Sequence, residues 1–187
     1  MNTLAEHLRL ICCCVASLVL GASALGKARA PREFADAVRR MRVVPARTVG
    51  TVAVAMPILE AALAAAVWIP PLATWAFAAA TVLTVAFTAA LASVIARSID
   101  TSCSCFGVSA APVGPAHLVR NAALLLVVGA GCAATLLRDS TAALFPAFPQ
   151  ALLGLFVAVC TSALIIATDV LAEVFSGPRA THTRPTH

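Results

Sequence analysis

The chain has 187 residues, of which 61% are hydrophobic and 11% charged, and it carries a formal net charge of +5. A soluble domain is roughly 45–50% apolar and about 25% charged, so a water-soluble fold of this size would lack the polar residues to cover its surface. Composition excludes an ordinary soluble domain. The apolar runs are continuous rather than alternating, which also argues against a transmembrane β-barrel. The basic residues flank those runs, so the positive charge reads as a topology signal and not as a nucleic-acid footprint.

The first apolar run covers residues 8–26. Ala22-Ser23-Ala24 within it has the A-x-A form of a signal-peptidase site; the run is read as a retained span, with cleavage as the alternative. A polar stretch, 27–47, follows. In it Phe34, Ala37, Val38 and Met41 recur at helical spacing opposite Arg32, Asp36, Arg39 and Arg40. That pattern predicts a short amphipathic helix over about 32–44, lying at the membrane surface. Further spans are expected at about 48–69, 72–96, 116–137 and 150–174, with Pro70-Pro71 stopping the second and forcing a tight turn. Each is near the roughly 20 residues needed to cross a bilayer core. The expected fold class is all-α: a polytopic membrane bundle of about five transmembrane helices. It forms one integral membrane domain over 1–175, with a disordered polar tail at 176–187.

With five retained spans, Arg9 and Arg138 fall on one side and the other eleven of the 13 Lys and Arg on the opposite side. The positive-inside rule makes the second side cytoplasmic.

Seven cysteines are many for this length. Cys132 and Cys160 lie inside spans, and Cys12, Cys13 and Cys14 near the start of the first; there a thiol acts as a small apolar residue with a weak donor. Cys103 and Cys105 differ, because they sit in a polar loop where a thiolate can be solvated. A disulfide between them would close a small strained ring, and such bonds exchange readily. Gly107 permits a turn beside them. A redox pair is the favoured reading over structural cysteines. Zinc normally wants four ligands, and only His117 stands nearby, so no metal site is expected.

Glu60 lies mid-span, where an ionised carboxylate costs a few kcal/mol. It should face the bundle interior with a partner, or be protonated. Two readings stand: a proton or quinone-head site, and an internal hydrogen bond that fixes packing. Arg120-Asn121 opens the fourth span. It is expected either to hydrogen-bond the Cys103–Cys105 loop or to anchor the helix at the headgroups.

Five segments occur in one order: Ser23-Ala24-Leu25-Gly26-Lys27, Pro31-Arg32-Glu33-Phe34-Ala35, Pro57-Ile58-Leu59-Glu60, Cys103-Ser104-Cys105-Phe106-Gly107 and Arg120-Asn121. On these the chain resembles the MauE family of methylamine-utilisation membrane proteins, within the broader DoxX-like group. The resemblance covers roughly 8–137, and Cys-x-Cys-Phe-Gly followed by Arg-Asn is its most specific part. Ala24 departs from the pattern, which usually has Gly there. The resemblance implies a four-helix DoxX-like core plus a C-terminal helix, in a bacterial inner membrane. It also implies a redox-associated role in disulfide formation or maturation of exported proteins, beside a thioredoxin-like partner. Lys27 enters as a supporting residue with Glu60, Arg120, Asn121 and Gly107.

Two functional readings follow. In one, Cys103 and Cys105 cycle between dithiol and disulfide as part of a thiol–disulfide oxidoreductase, with a quinone as a candidate acceptor. In the other, the chain is a non-catalytic scaffold or assembly subunit for a redox enzyme. The charge count conflicts with the first, since it places the Cys-Ser-Cys loop in the cytoplasm, where thiols are kept reduced.

Overall fold

With no water to compete in lipid, Ala-, Leu- and Val-rich runs close their backbone hydrogen bonds within themselves, and the helix is the form that does so. A computed structural model describes residues 2–99, 114–137 and 148–176. These residues form α1 (Asn2–Arg29), α2 (Pro31–Met41), α3 (Val49–Ala66), α4 (Pro70–Ala96), α5 (Pro115–Leu136) and α6 (Phe148–Ser176), with one 3₁₀ turn at Ala46–Thr48 before α3.

The chain is a multi-pass integral membrane protein with an all-helical fold. α1, α4, α5 and the segment Ala46–Ala66 are long and apolar enough to cross a bilayer, and α6 contributes a further apolar stretch, Leu152–Thr168. Val54, Ile58, Trp75, Val82, Leu126 and Phe156 are exposed on the outside of the bundle, where lipid rather than water is the solvent.

α1 is the hub and the most enclosed helix, packing on α3, α5 and α6. Its Cys13, Val15, Ala16 and Val19 are fully buried against Val67, Phe77, Ala80 and Val128. At the end where α3 finishes, three bonds latch the two helices. The Cys13 thiol donates to the Val67 carbonyl at 3.4 Å, the Ser17 hydroxyl to the Ala64 carbonyl at 2.7 Å, and the Trp68 indole N–H to Ser17 Oγ at 2.7 Å. Cys12, Cys13 and Cys14 are thus core residues.

α4 lies along α5 at close range. A Cβ at Gly131 would stand 2.5 Å from the Phe77 ring, which is fully buried.

Several boundaries differ from the sequence expectation: α1 starts at Asn2, α2 ends at Met41 and α3 ends at Ala66. α1 runs on to Arg29, because Lys27 and Arg29 sit favourably in a helix's last turn. The two prolines open α4 instead of preceding it: Pro70 and Pro71 are its first residues, where a missing N–H leaves nothing unpaired.

α2 has the predicted amphipathic faces. Phe34, Ala37, Val38 and Met41 are buried, while Arg32, Asp36, Arg39 and Arg40 are exposed. Phe34 and Val38 pack on Val49 and Ala53 of α3. At its other end Arg97, just past α4, donates to the Met41 carbonyl at 2.9 Å and to the Arg42 carbonyl at 3.4 Å. The end of α1, all of α2, the start of α3, the end of α4 and the start of α5 therefore share one end of the bundle.

Candidate functional site

Near that end α1, α3 and α5 bring four sequence-flagged polar residues together. Lys27, Glu60, Arg120 and Asn121 are 2%, 7%, 3% and 4% exposed, in a bundle lined mainly by apolar side chains. Desolvating such groups is expensive, so each is expected to find partners inside.

Lys27 and Glu60 pair. The Lys27 ammonium donates to both carboxylate oxygens of Glu60, at 2.6 and 2.7 Å, and also to Ser23 Oγ. Ser23 in turn donates to Glu60 Oε1 at 3.2 Å. Ser23 and Lys27 stand four residues apart on α1, hence on one face. An ammonium has three N–H groups, and these three bonds use all of them. The rings of Phe34 and Phe87 lie 5.5 and 5.8 Å from the same nitrogen, within cation–π range. The amphipathic helix α2 thereby helps to close over an ion pair that belongs to the spans.

Across from the pair, Asn121 Nδ2 donates to Thr88 Oγ1 at 3.2 Å, and Thr88 donates to the Thr84 carbonyl at 2.6 Å. Between the two groups is a cavity of about 40 Å³ lined by Ser23, Glu60, Thr84, Arg120 and Asn121 together with apolar side chains such as Met56 and Phe87. A polar cavity needs roughly 10–15 Å³ to hold a water, so this one can. Glu60 faces Lys27 on one side and the cavity on the other. The arrangement fixes a carboxylate in the bilayer and leaves room next to it for a small hydrogen-bonding group.

The proximity of Lys27 and Glu60 answers what Glu60 requires: the partner is a cation one helix away, read in the sequence as the first residue of a polar stretch. Arg120 and Asn121 are not headgroup anchors, since both point inward at the cavity. His117 is also buried, and its Nδ1 accepts from the Gly114 N–H at 3.3 Å, tightening the first turn of α5. Cys103, Cys105 and Gly107 lie outside the described residues. Ser23, Phe34, Thr84, Phe87 and Thr88 were missed as site residues. Ser23 had a usable signal, being a hydroxyl one turn before a lysine on an apolar helix. A threonine bonded to its own helix, as Thr84 is to the Ala80 carbonyl at 2.8 Å, carries none.

The model of the family described as methylamine utilisation protein MauE matches residues 5–136. That range takes in α1 to α5 and every residue of the site, and it leaves α6 outside. A methylamine utilization protein MauE of Paracoccus denitrificans is 40% identical over 91 residues, 48% of this chain and 49% of that protein. The similarity therefore spans about half the length of that relative. No solved structure matches the chain.

Proposed function

The chain belongs to the MauE family, and from that premise we propose that it is a membrane component of methylamine utilisation that supports thiol–disulfide exchange in the maturation of an exported redox protein. The exchanging pair is Cys103 and Cys105, and the partner is a thioredoxin-like or exported protein. A partner thiolate attacks one sulfur of the oxidised pair, the mixed disulfide is resolved by the partner's second thiol, and two electrons and two protons remain with Cys103 and Cys105. An acceptor must then take them, and a quinone is the class that a bilayer supplies.

One observation carries this reading. The connection bearing both cysteines leaves α4 and enters α5 at the end of the bundle that holds the buried Lys27–Glu60–Arg120 cluster. Arg120 lies about 8 Å along the helix axis from the start of α5. A cation beside a thiol is the kind of group that stabilises a thiolate, and the proposal gives Arg120 that role.

The test uses a Paracoccus strain lacking its own relative. The wild-type chain is expected to restore growth on methylamine, and Cys103→Ser and Cys105→Ser are expected not to. Neither variant can form the disulfide that the partner attacks, so both should lack the mixed disulfide that the wild type shows with its partner on a non-reducing gel. Full growth with both variants overturns the proposal.

A second reading is favoured by a different fact. Every N–H of the Lys27 ammonium is satisfied inside the protein, as suits a structural lock in a scaffold or assembly subunit. On that reading the cysteine variants lose stability and keep function.

A further inference from the structure

An apolar groove of about 640 Å³ runs on the outside of the bundle between α1 and α3. Gly21, Ala24 and Ala28 line it from α1, and Ala53, Pro57 and Ala61 from α3. Small residues on both walls leave it open. Its volume falls in the roughly 300–1,000 Å³ range of small-molecule sites. Lys27 also lines it, but with its methylene stem: the ammonium is turned away into Glu60 and Ser23, and the side chain is 1% exposed. The walls therefore offer no charge to a ligand, only surface for a hydrocarbon chain.

Charge appears at one mouth. The groove ends at Ala28 and Pro31, where α1 passes into α2. Arg29 and Arg32 adjoin those two residues in the chain and are both exposed. An amphipathic helix such as α2 lies at the headgroup level when it rests on a bilayer, and that would put both arginines there. Guanidinium groups match phosphate oxygens in charge and in fork geometry.

We propose that this groove is a binding site for an anionic phospholipid of the bilayer, with an acyl chain between α1 and α3 and the phosphate at Arg29 and Arg32. Charge complementarity selects this occupant over the others. A partner's transmembrane helix or a second copy of the chain would cover the small-residue walls but has no need of two arginines at the mouth. An uncharged quinone has none either.

The test is native mass spectrometry of the full-length protein in detergent, titrated with phosphatidylglycerol or phosphatidylcholine. One phosphatidylglycerol is expected to be retained in preference to phosphatidylcholine. Arg29→Gln and Arg32→Gln should each weaken that preference roughly five-fold, as expected for one basic residue near a phosphate. Arg39→Gln with Arg47→Gln removes two charges from the same end, at residues that do not line the groove, and should leave the preference intact. Ala28→Leu with Ala61→Leu, both at exposed positions, narrows the groove and should weaken retention of either lipid. Equal retention of the two lipids by the wild type overturns the proposal, as does equal loss in the Arg39/Arg47 control, which would make the attraction diffuse. Unaltered retention after narrowing, preferential capture of added ubiquinone, or a lipid-free dimer held together through the groove overturns it as well.

Discussion

At the scale of residues, the Lys27–Glu60 pair sets the energetics of the site. A buried pair is weak evidence for stability, because the desolvation cost of two charges offsets much of their attraction. Its two halves are not independent, however. Removing one leaves the other charged and enclosed, which costs about 3–5 kcal/mol. Lys27→Met and Glu60→Gln should each lower the thermal midpoint in detergent markedly. The double variant should be more stable than either single one, since it leaves no orphan charge. If the double variant is as unstable as the sum of the singles, the pair is not coupled in the way its 2.6 Å contact requires. The same three proteins separate the functional readings. A structural lock predicts that the double variant supports methylamine growth, whereas a working carboxylate at the cavity predicts that it does not.

At the scale of elements, two contacts have single-residue tests. Gly131→Ala drives a methyl group into the buried Phe77 ring. Overpacking of this kind costs typically 1–3 kcal/mol, and Phe77→Leu in the same protein should return part of it, measured by thermal unfolding. Phe34→Ala strips α2 of its buried aromatic side chain and of one ring over the Lys27 ammonium, at about 3–5 kcal/mol. Faster proteolysis near Arg40 and Arg42, relative to the spans, would show α2 lifting first.

Most of this element structure was legible beforehand. Apolar runs of span length permit one backbone solution in lipid, and the four residues predicted for the hidden face of α2 are the four that are buried. Pro70-Pro71 was recognised as punctuation but placed outside the helix it begins, because proline stops one helix and starts another with the same chemistry. The site was legible only as members. Glu60, Arg120 and Asn121 each announce themselves as polar groups in apolar helices, but sequence spacing within one helix says nothing about which neighbour supplies the partner. Lys27 was flagged only through the family resemblance. Its own neighbourhood, a run of exposed arginines, gives no such sign, and the extension of α1 to Arg29 turns it inward.

At the scale of the whole molecule, burial sharpens the topology signal. Lys27, Arg120 and Arg9 are inside the protein and take no part in charge-directed orientation. What remains among the described residues is one-sided: Arg29, Arg32, Arg39, Arg40, Arg42, Arg47 and Arg97 are exposed at the end that carries α2, and the opposite end exposes no lysine or arginine. By the positive-inside rule the α2 end is expected in the cytoplasm. The connection from α4 to α5 starts and finishes at that end, so a cytoplasmic position for Cys103 and Cys105 is the prediction to test. In intact cells a membrane-impermeant maleimide should leave both thiols unlabelled, and in inside-out vesicles it should label them after reduction. Cys12, Cys13 and Cys14 are buried, so they add no background. The outcome chooses the partner. Labelling only in inside-out vesicles gives the pair a cytoplasmic thioredoxin-like partner in a reducing compartment, and direct contact with an exported substrate is then ruled out. Labelling in intact cells reverses the orientation against seven exposed arginines and puts the pair where an exported protein can reach it.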